Sequence, residues 1–227
     1  MCRFLFYFIL LFSLGLNLRS QSVYFNKRFD NFNSCDGAIG IDTFANKYLT
    51  IGVACTAITY GALNLRLYDY SNGNAYLNKT YQWSGTTIIP SEGKGIRINR
   101  NIYSICGTKV YKPDTALAFL WRFNSNLDSV LYREYGYLNM VNALHGMTVG
   151  KDNYIYMVGF VDNSSYTNTD ILLIKTDTSG NEIWKKKIGL STWSEEGYSI
   201  RNCSNGDLII SGARYVPNFT SANQGPL

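Results

Sequence analysis

The stretch Tyr154–Gly159 (Tyr-Ile-Tyr-Met-Val-Gly) is an apolar run that closes on a glycine, and variants of it occur three more times along the chain. The other copies close at Gly52, Gly107 and Gly212, so the four glycines follow one another at intervals of 55, 52 and 53 residues. Short apolar runs bounded by glycine are typical of β-strands. The chain is therefore a repeat with a period of about 53 residues.

A second landmark measures the same period independently. A polar strand opens at Leu77, Leu131 and Trp184, which are 54 and 53 positions apart. The best-defined copy divides into four short strands, at 145–149, 154–160, 170–176 and 182–188. Its second strand is apolar almost throughout, as expected of a central strand that neighbouring sheets cover on both faces. The period and the strand count predict an all-β fold, a partial β-propeller of about three and a half four-stranded blades.

The repeat also predicts how the chain is divided. We expect a signal peptide at 1–20 and an incomplete β-propeller at 21–227. The propeller would consist of an outer strand at 23–29, blade one at 38–81, blade two at 95–135, blade three at 146–188 and a partial blade four at 197–227. The series of blades is preceded by an outer strand, and the last copy of the repeat lacks a third and a fourth strand. We therefore interpret the sequence as a truncated part of a larger protein.

Glycines mark two kinds of position in each copy. Gly159 and its three equivalents are expected to end the second strand where the backbone angle φ or close packing excludes a side chain. The pairs Asn72-Gly73, Ser179-Gly180 and Asn205-Gly206 are expected to form tight turns with positive φ.

The N-terminus predicts export. Met1-Cys2-Arg3 is a short positive start, Phe4 to Leu16 is an apolar run of 13 residues, and Asn17 to Ser20 ends on a small residue. A membrane-spanning helix needs about 20 apolar residues. We expect cleavage after Ser20, a secreted or cell-surface protein, and no transmembrane segment in the mature chain. An uncleaved anchor is the alternative.

Charge excludes one class of partner. The chain has 21 Lys and Arg residues against 16 Asp and Glu, and removal of Arg3 and Arg19 leaves a net charge of +3. Nucleic-acid binding is not expected, because there is no cluster of basic residues of the kind that binds phosphates. The densest run, Lys185 to Lys187, is interpreted as protection of an outer strand against edge-to-edge pairing.

Cysteine and histidine usage argues against a cofactor. Cys35, Cys55, Cys106 and Cys203 remain after export, and whether any of them form disulfides stays open. Cys106 lies in an apolar strand and is expected to be a buried thiol. A single histidine and the absence of a Cys-x-x-Cys pair make a zinc or redox site improbable, so no cofactor is predicted.

Two stretches of the last copies carry a family resemblance. They are 170–184, from Asp-Ile-Leu-Leu-Ile-Lys-Thr to Glu-Ile-Trp, and 195–212, from Glu-Glu-Gly-Tyr-Ser-Ile to Asn-Gly-Asp-Leu-Ile-Ile-Ser-Gly. They resemble the secreted bacterial β-propeller repeats found in cell-surface proteins that carry a C-terminal sorting domain. The resemblance implies the propeller fold and export, and it supplies no catalytic residues. The sorting domain itself is absent from this sequence.

The strand order of a blade sends its longer loops to one face, and these loops are rich in aromatic residues. The candidate binding residues are Tyr60, Trp83, Tyr111, Tyr137, Tyr166, Trp193 and Tyr215. Tyrosine and tryptophan supply large contact areas at small entropic cost, so this face is predicted to bind a glycan or a protein. The alternative is that the rings only cover the ends of the blades.

Catalytic patterns are weaker than this aromatic pattern. His145 has no accompanying serine or cysteine motif and is interpreted as structural. Glu195, Glu196 and Asp170 could provide paired carboxylates of the glycosidase type. The acidic stretch 177–181 is interpreted as a turn and not as a calcium loop. We expect a non-enzymatic binding module, and the alternatives are a carbohydrate-active enzyme with loop-face carboxylates or a structural spacer of an adhesin.

Overall fold

A computed structural model describes residues 36–55, 61–91, 95–112, 114–162, 168–190 and 193–215. The predicted signal peptide, the predicted outer strand 23–29, Tyr60 and Tyr166 lie outside these ranges. The regular structure of the described residues is entirely β, as predicted. None of these residues belongs to a helix long and apolar enough to cross a membrane.

The strands follow one another as antiparallel neighbours. The first sheet contains β1 (Asp36–Phe44), β2 (Lys47–Cys55), β3 (Gly61–Tyr68) and β4 (Ala75–Tyr81). The second contains β5 (Thr87–Pro90), β6 (Ile96–Asn99), β7 (Ile102–Lys112), β8 (Thr115–Phe123) and β9 (Ser129–Tyr135). The third contains β10 (Val141–Val149), β11 (Ile155–Asp162), β12 (Thr169–Thr176) and β13 (Glu182–Ile188), and the hairpin consists of β14 (Ser194–Asn202) and β15 (Leu208–Tyr215). One parallel pair, Val141 with Ala116, joins the third sheet to the second, so that β5 to β13 are connected as one nine-stranded sheet.

The first strands of the copies are longer than the sequence pattern indicated. In the second copy the expected start at Gly95 is wrong, because β5 already pairs with β7 from Thr87 and the strand is interrupted before β6 resumes. In the third copy the strand starts at Val141 and not at His145. The physical reason is a β-bulge between Leu144 and Gly146, which interrupts the side-chain pattern in the middle of the strand.

Three layers of apolar side chains hold successive sheets together. The first layer joins sheets one and two and includes Leu49, Leu65 and Trp121. The second joins sheets two and three through Cys106, Leu120 and Met157, and the third joins sheet three to the hairpin. Because neighbouring residues of β11 enter different layers, Met157 the second and Val158 the third, β11 is buried almost throughout. This confirms the expectation that the continuous apolar runs are covered on both faces.

The glycine prediction is half right. A Cβ on Gly159 would lie 1.9 Å from the carbonyl oxygen of Ala143, and one on Gly212 would lie 2.0 Å from that of Glu196. Gly52 and Gly107 face first-strand carbonyl oxygens in the same way. Close packing against the first strand therefore excludes a side chain, as predicted. The glycines do not end their strands, however, since β11 continues to Asp162 and β15 to Tyr215.

The tight turns follow the prediction. Gly73, Gly180 and Gly206 all have positive φ. In the turn at Asp177 the carboxylate Oδ1 accepts hydrogen bonds of 2.8 Å from the backbone N–H groups of Ser179 and Asn181. The hydrogen bonds from Asn181 are the main cause that lowers the pKa of Asp177. This carboxylate is engaged by the turn itself, as expected of a structural turn.

Candidate functional site

Antiparallel order places two sets of connections at the same end of the sheets, which we call the loop end. They connect second to third strands and fourth to first strands, and their described parts are 82–86, 114, 136–140, 168, 189–190 and 193. Five of the seven predicted aromatic residues are described: Trp83, Tyr137 and Trp193 lie in these connections, and Tyr111 and Tyr215 lie at the ends of strands. Trp83 and Tyr111 form a first group, and Tyr137 with two lysines forms a second. A third group lies on the hairpin, where Trp193 contacts Arg214 and Tyr215 contacts Tyr198.

The first group surrounds a lysine of the protein itself. Lys109 Nζ lies 4.4 Å from the ring centroid of Trp83 and 4.8 Å from that of Tyr111. It also lies 3.1 Å from Glu134 Oε1, and the Tyr132 hydroxyl donates to the same oxygen at 2.8 Å. The Lys109 ammonium thus occupies the space between the rings that a ligand cation would take. This group is an internal ion pair in an aromatic surround, which fits the alternative that loop aromatics cover the ends of the sheets.

Electrostatics in the first group favour a charged Glu134. Burial alone would raise the pKa of Glu134, but hydrogen bonds from Tyr111, Tyr132 and Lys109 and the lysine charge together lower it below its usual value. The pKa of Tyr111 is raised, first by burial and then by its hydrogen bond to Glu134. Both shifts move these groups away from neutral pH.

The second group is fixed by a buried amide. Asn142 is fully buried, and its Oδ1 accepts from the Tyr137 N–H at 2.8 Å while its Nδ2 donates to Ala116 O at 3.0 Å. This holds the 136–140 connection against the second sheet. The ring of Tyr137 then lies 4.5 Å from Lys187 Nζ of the third sheet. Lys187 belongs to β13, which is the outermost strand of the third sheet. This position agrees with the interpretation that the lysine run protects the edge of an outer strand.

The third group lies on the hairpin and combines rings with charges. Arg214 lies 5.1 Å from the ring centroid of Trp193, and its Nε donates to Glu195 Oε1 at 3.2 Å. Glu195 is buried, whereas the Arg214 side chain is half exposed. The N–H of Trp193 donates to Leu190 O, which closes the connection before β14. A ring, a guanidinium and a carboxylate are therefore presented together at the loop end of the hairpin.

A hydroxyl pair extends the third group. Tyr198 and Tyr215 are both exposed, and their hydroxyl oxygens lie 2.5 Å apart. Tyr198 donates to Glu196 Oε2 at 3.0 Å, which leaves the Tyr215 hydroxyl as the donor between the two. The ring of His145 contacts Tyr198, with 5.4 Å between the ring centroids.

His145 and Tyr198 occupy the same position of the repeat. Each is the extra residue of a β-bulge opposite the second strand, between Leu144 and Gly146 in one case and between Gly197 and Ser199 in the other. The two residues are separated by 53 positions, which is one period. Tyr198 was not among the predicted site residues, and its spacing of one period from His145 is the signal that identifies it. Arg214 and Glu134 were not predicted either, because Arg214 is separated by 19 residues from Glu195 and Glu134 by 25 from Lys109. Asn142 was also not predicted.

The structure brings two of the three predicted carboxylates together. A methyl group placed on Gly189 would lie 2.1 Å from Asp170 Oδ1 and 3.0 Å from Glu195 Oε2, so both oxygens converge on this glycine. Glu195 also accepts from the Leu190 N–H at 3.4 Å. Glu196 is directed instead toward Tyr198. In the described part of the chain, Asp, Glu, His and Cys side chains form no group of three that could hold a metal ion.

The chain matches no protein-family model and no curated protein sequence.

Proposed function

We propose that this chain is an exported β-propeller binding module that acts at the cell surface or outside the cell. The propeller is supported by successive antiparallel sets of four, five and four strands followed by a hairpin, with apolar layers between them. Export is supported by the sequence of residues 1–20 and by the resemblance of 170–184 and 195–212 to secreted bacterial propeller repeats.

The observation that carries the binding role is the third aromatic group. Trp193 lies at the loop end against the guanidinium of Arg214, and the Tyr215 hydroxyl contacts Tyr198, which in turn donates to Glu196, so each ring has polar groups close to it. Ring faces give contact area to apolar surfaces, while guanidinium, carboxylate and hydroxyl groups bind polar ones. A glycan offers both kinds of surface within one sugar unit. A glycan is therefore the ligand that this surface fits best, with a protein as the second choice.

An array of immobilised oligosaccharides tests this proposal with the purified protein. We expect selective binding that is reduced at least about tenfold by Trp193→Ala, because loss of a central aromatic contact costs about 1.4 kcal/mol or more. Tyr76→Ala is the matched control, since Tyr76 is an exposed aromatic residue on the outer strand β4. Equal effects of the two substitutions would contradict the assignment. No binding by a correctly folded protein would instead favour the structural spacer of an adhesin.

The convergence of Asp170 and Glu195 favours a second candidate, a carbohydrate-active enzyme. Glycosidases of the retaining type place two carboxyl groups about 5 Å apart. Glu195 forms an ion pair with Arg214. In such an enzyme Glu195 would therefore position the substrate and would not donate the proton. Hydrolysis of aryl glycosides that is abolished by Asp170→Asn would establish the enzyme. Absence of turnover together with glycan binding would leave the binding module.

A further inference from the structure

The second apolar layer, between sheets two and three, ends in three buried polar residues. They are Ser104, Arg122 and Thr176, and none of them is more than 7% exposed. Ser104 Oγ, Thr176 Oγ1, and the Nε and Nη2 atoms of Arg122 have no hydrogen-bond partner among the described residues. Leaving one such atom unsatisfied in a protein interior is costly. Four of them in one layer indicate a site for a bound species that accepts hydrogen bonds.

Strand register places Ser104 and Arg122 side by side. Ser104 of β7 lies directly opposite Arg122 of β8. Side chains of such a pair point to the same face of the sheet and have their Cβ atoms about 5 Å apart. Cys106 and Leu120 lie two positions away on the same strands and belong to the second layer. Since every second side chain of a strand shares a face, Ser104 and Arg122 also face sheet three.

Thr176 reaches the same layer from sheet three. It follows Ile174 by two positions on β12, and Ile174 belongs to the second layer as well. The Nη1 atom of Arg122 donates to the backbone oxygen of Thr178, just beyond the end of β12. The guanidinium therefore spans from sheet two to the end of sheet three at which the Thr176 hydroxyl is buried. Donors of both sheets lie together at the end of the layer opposite the loop end.

The buried guanidinium lacks a hydrogen-bonded counter-charge. Arginine stays protonated in proteins, so Arg122 carries its positive charge into the layer. The charge of Asp177 acts on Arg122, but the Asp177 oxygens accept from the N–H groups of Ser179 and Asn181 in their own turn. Within the described ranges, no carboxylate forms an ion pair with Arg122. A buried charge of this kind is unfavourable unless something pairs with it.

The other copies of the repeat show two ways to avoid an unpaired charge at these positions. In the first copy the equivalent pair is Leu49 and Leu67, which are both apolar. In the third copy it is Tyr156 and Lys175. Lys175 Nζ lies 2.9 Å from Asp152 Oδ2, and the Tyr156 hydroxyl donates to the same oxygen at 2.7 Å. The third copy thus neutralises its cation with a carboxylate of its own.

The second copy has lost that carboxylate. Its residue equivalent to Asp152 is Arg100, which lies 52 positions earlier, the same interval that separates Gly107 from Gly159. A second cation therefore stands where the third copy has its acidic partner. The second copy keeps the buried cation of the pair without the negative charge that the repeat supplies elsewhere.

We propose that Ser104, Arg122 and Thr176 bind a small monovalent anion of the size of chloride between sheets two and three. Each of the unpartnered atoms belongs to an N–H or O–H donor, which is the set that an anion requires. A water molecule accepts hydrogen bonds but leaves the guanidinium charge without a partner. The near-complete burial of all three residues favours a monatomic ion over phosphate or a carboxylic acid.

Thermal unfolding of the full chain in two salts tests the site. Chloride is titrated against gluconate, which is too large to enter the layer, at constant ionic strength. An ion that binds the folded state raises the Tm with increasing concentration. We expect the Tm in chloride relative to gluconate to be about 3 °C more favourable for the unmodified protein than for Arg122→Leu. An equal response of these two proteins would overturn the proposal.

Lys175→Leu is the matched control. It removes the equivalent cation of the third copy, which already has Asp152 as its partner, and introduces the residue that the first copy has at this position. We expect Lys175→Leu to respond to chloride as the unmodified protein does. A chloride response that is lost equally in Lys175→Leu and Arg122→Leu would mean that the salt acts on surface charges, which contradicts the buried site.

Two further measurements do not depend on whether Arg122→Leu folds. Ser104→Ala removes only one hydroxyl donor and should raise the chloride concentration at half-maximal stabilisation about fivefold. A crystal of the unmodified protein soaked in sodium bromide should show an anomalous scattering peak in contact with Arg122 Nη2 and Ser104 Oγ. An ordered water without anomalous signal at this position would mean that water satisfies the donors, and the anion site would be refuted.

Discussion

The third sheet and the hairpin have nearly the same sequence pattern but different surroundings. The second strand of the third sheet, β11, is buried along almost its whole length, while its equivalent β15 alternates between partly buried and exposed positions. Both contain the glycine that packs against the first-strand carbonyl, and both first strands contain the same bulge. The local structure is therefore set by the repeat itself. The burial of the second strand depends instead on the neighbouring strands and sheets that cover it.

Cysteine reactivity should most strongly distinguish a residue buried between complete sheets from one in the hairpin. Cys106 is buried between sheets two and three, and burial raises the pKa of its thiol to about 11. Cys203 is half-buried, in the turn of the hairpin. Since the thiolate is the reactive form, we expect iodoacetamide at pH 8 to modify Cys203 at least about a hundredfold faster. Peptide mass spectrometry measures both rates, which should become similar in denaturant. Similar rates in the native protein would mean that the layer between sheets two and three opens readily.

Substitution of the repeated glycine should reveal the same difference in stability. Gly159→Val introduces a Cβ into the space held by the Ala143 carbonyl, with strands on both sides of β11, and should lower the free energy of unfolding by about 3 kcal/mol. Gly212→Val should cost about 1 kcal/mol, because β15 is free to shift away from β14. Gly37→Ala is the control, as nothing lies within 4 Å of its added methyl group. Urea denaturation would contradict this explanation if both valine variants lost equal stability.

Side-chain truncation at one repeat position should give a smaller contrast. Leu49 is 1% exposed and Ile209 is 61% exposed, although both lie three residues before the repeated glycine. Leu49→Ala should lower the free energy of unfolding by about 2–3 kcal/mol, since it removes buried methyl groups and leaves a cavity. Ile209→Ala should change it by less than about 0.5 kcal/mol. A large loss for Ile209→Ala in the isolated protein would show that its outer face is already covered, for example by a second copy.

The sequence predicted the period, the all-β class, the tight turns and the close packing of the glycines. Each of these depends on residues that are near one another in the chain or separated by a whole number of periods. The bulges shifted the predicted starts of the first strands, because one extra residue at His145 changes which side chains share a face. The partners within the loop-end groups could not be predicted. Arg214 meets Glu195, and Lys109 meets Glu134, across strands whose register no local pattern determines.

The two loop-end ion pairs provide the finest comparison, since they differ in which partner is buried. Glu134→Gln removes the carboxylate that pairs with the Lys109 ammonium, and the Lys109 side chain is only 10% exposed. We therefore expect this substitution to lower the free energy of unfolding by about 1–2 kcal/mol at pH 7. Glu195→Gln leaves Arg214 with a half-exposed side chain that water can solvate, so it should cost less than about 1 kcal/mol. Urea titrations of both variants against the unmodified protein measure this difference.

The effect of pH identifies the source of the Glu134 contribution. The folded state lowers the pKa of Glu134, so its contribution is fully present above the unfolded-state pKa of about 4.3 and is lost as the pH falls through the lower folded-state value. The stability gap between the unmodified protein and Glu134→Gln should therefore be constant from pH 7 to about pH 5 and should close in more acidic solution. A gap that persists unchanged at about pH 3 would mean that the substitution disturbs packing around Trp83 and Tyr111. In that case the loop-end cluster of the second sheet would owe its stability to its rings and not to the ion pair that they surround.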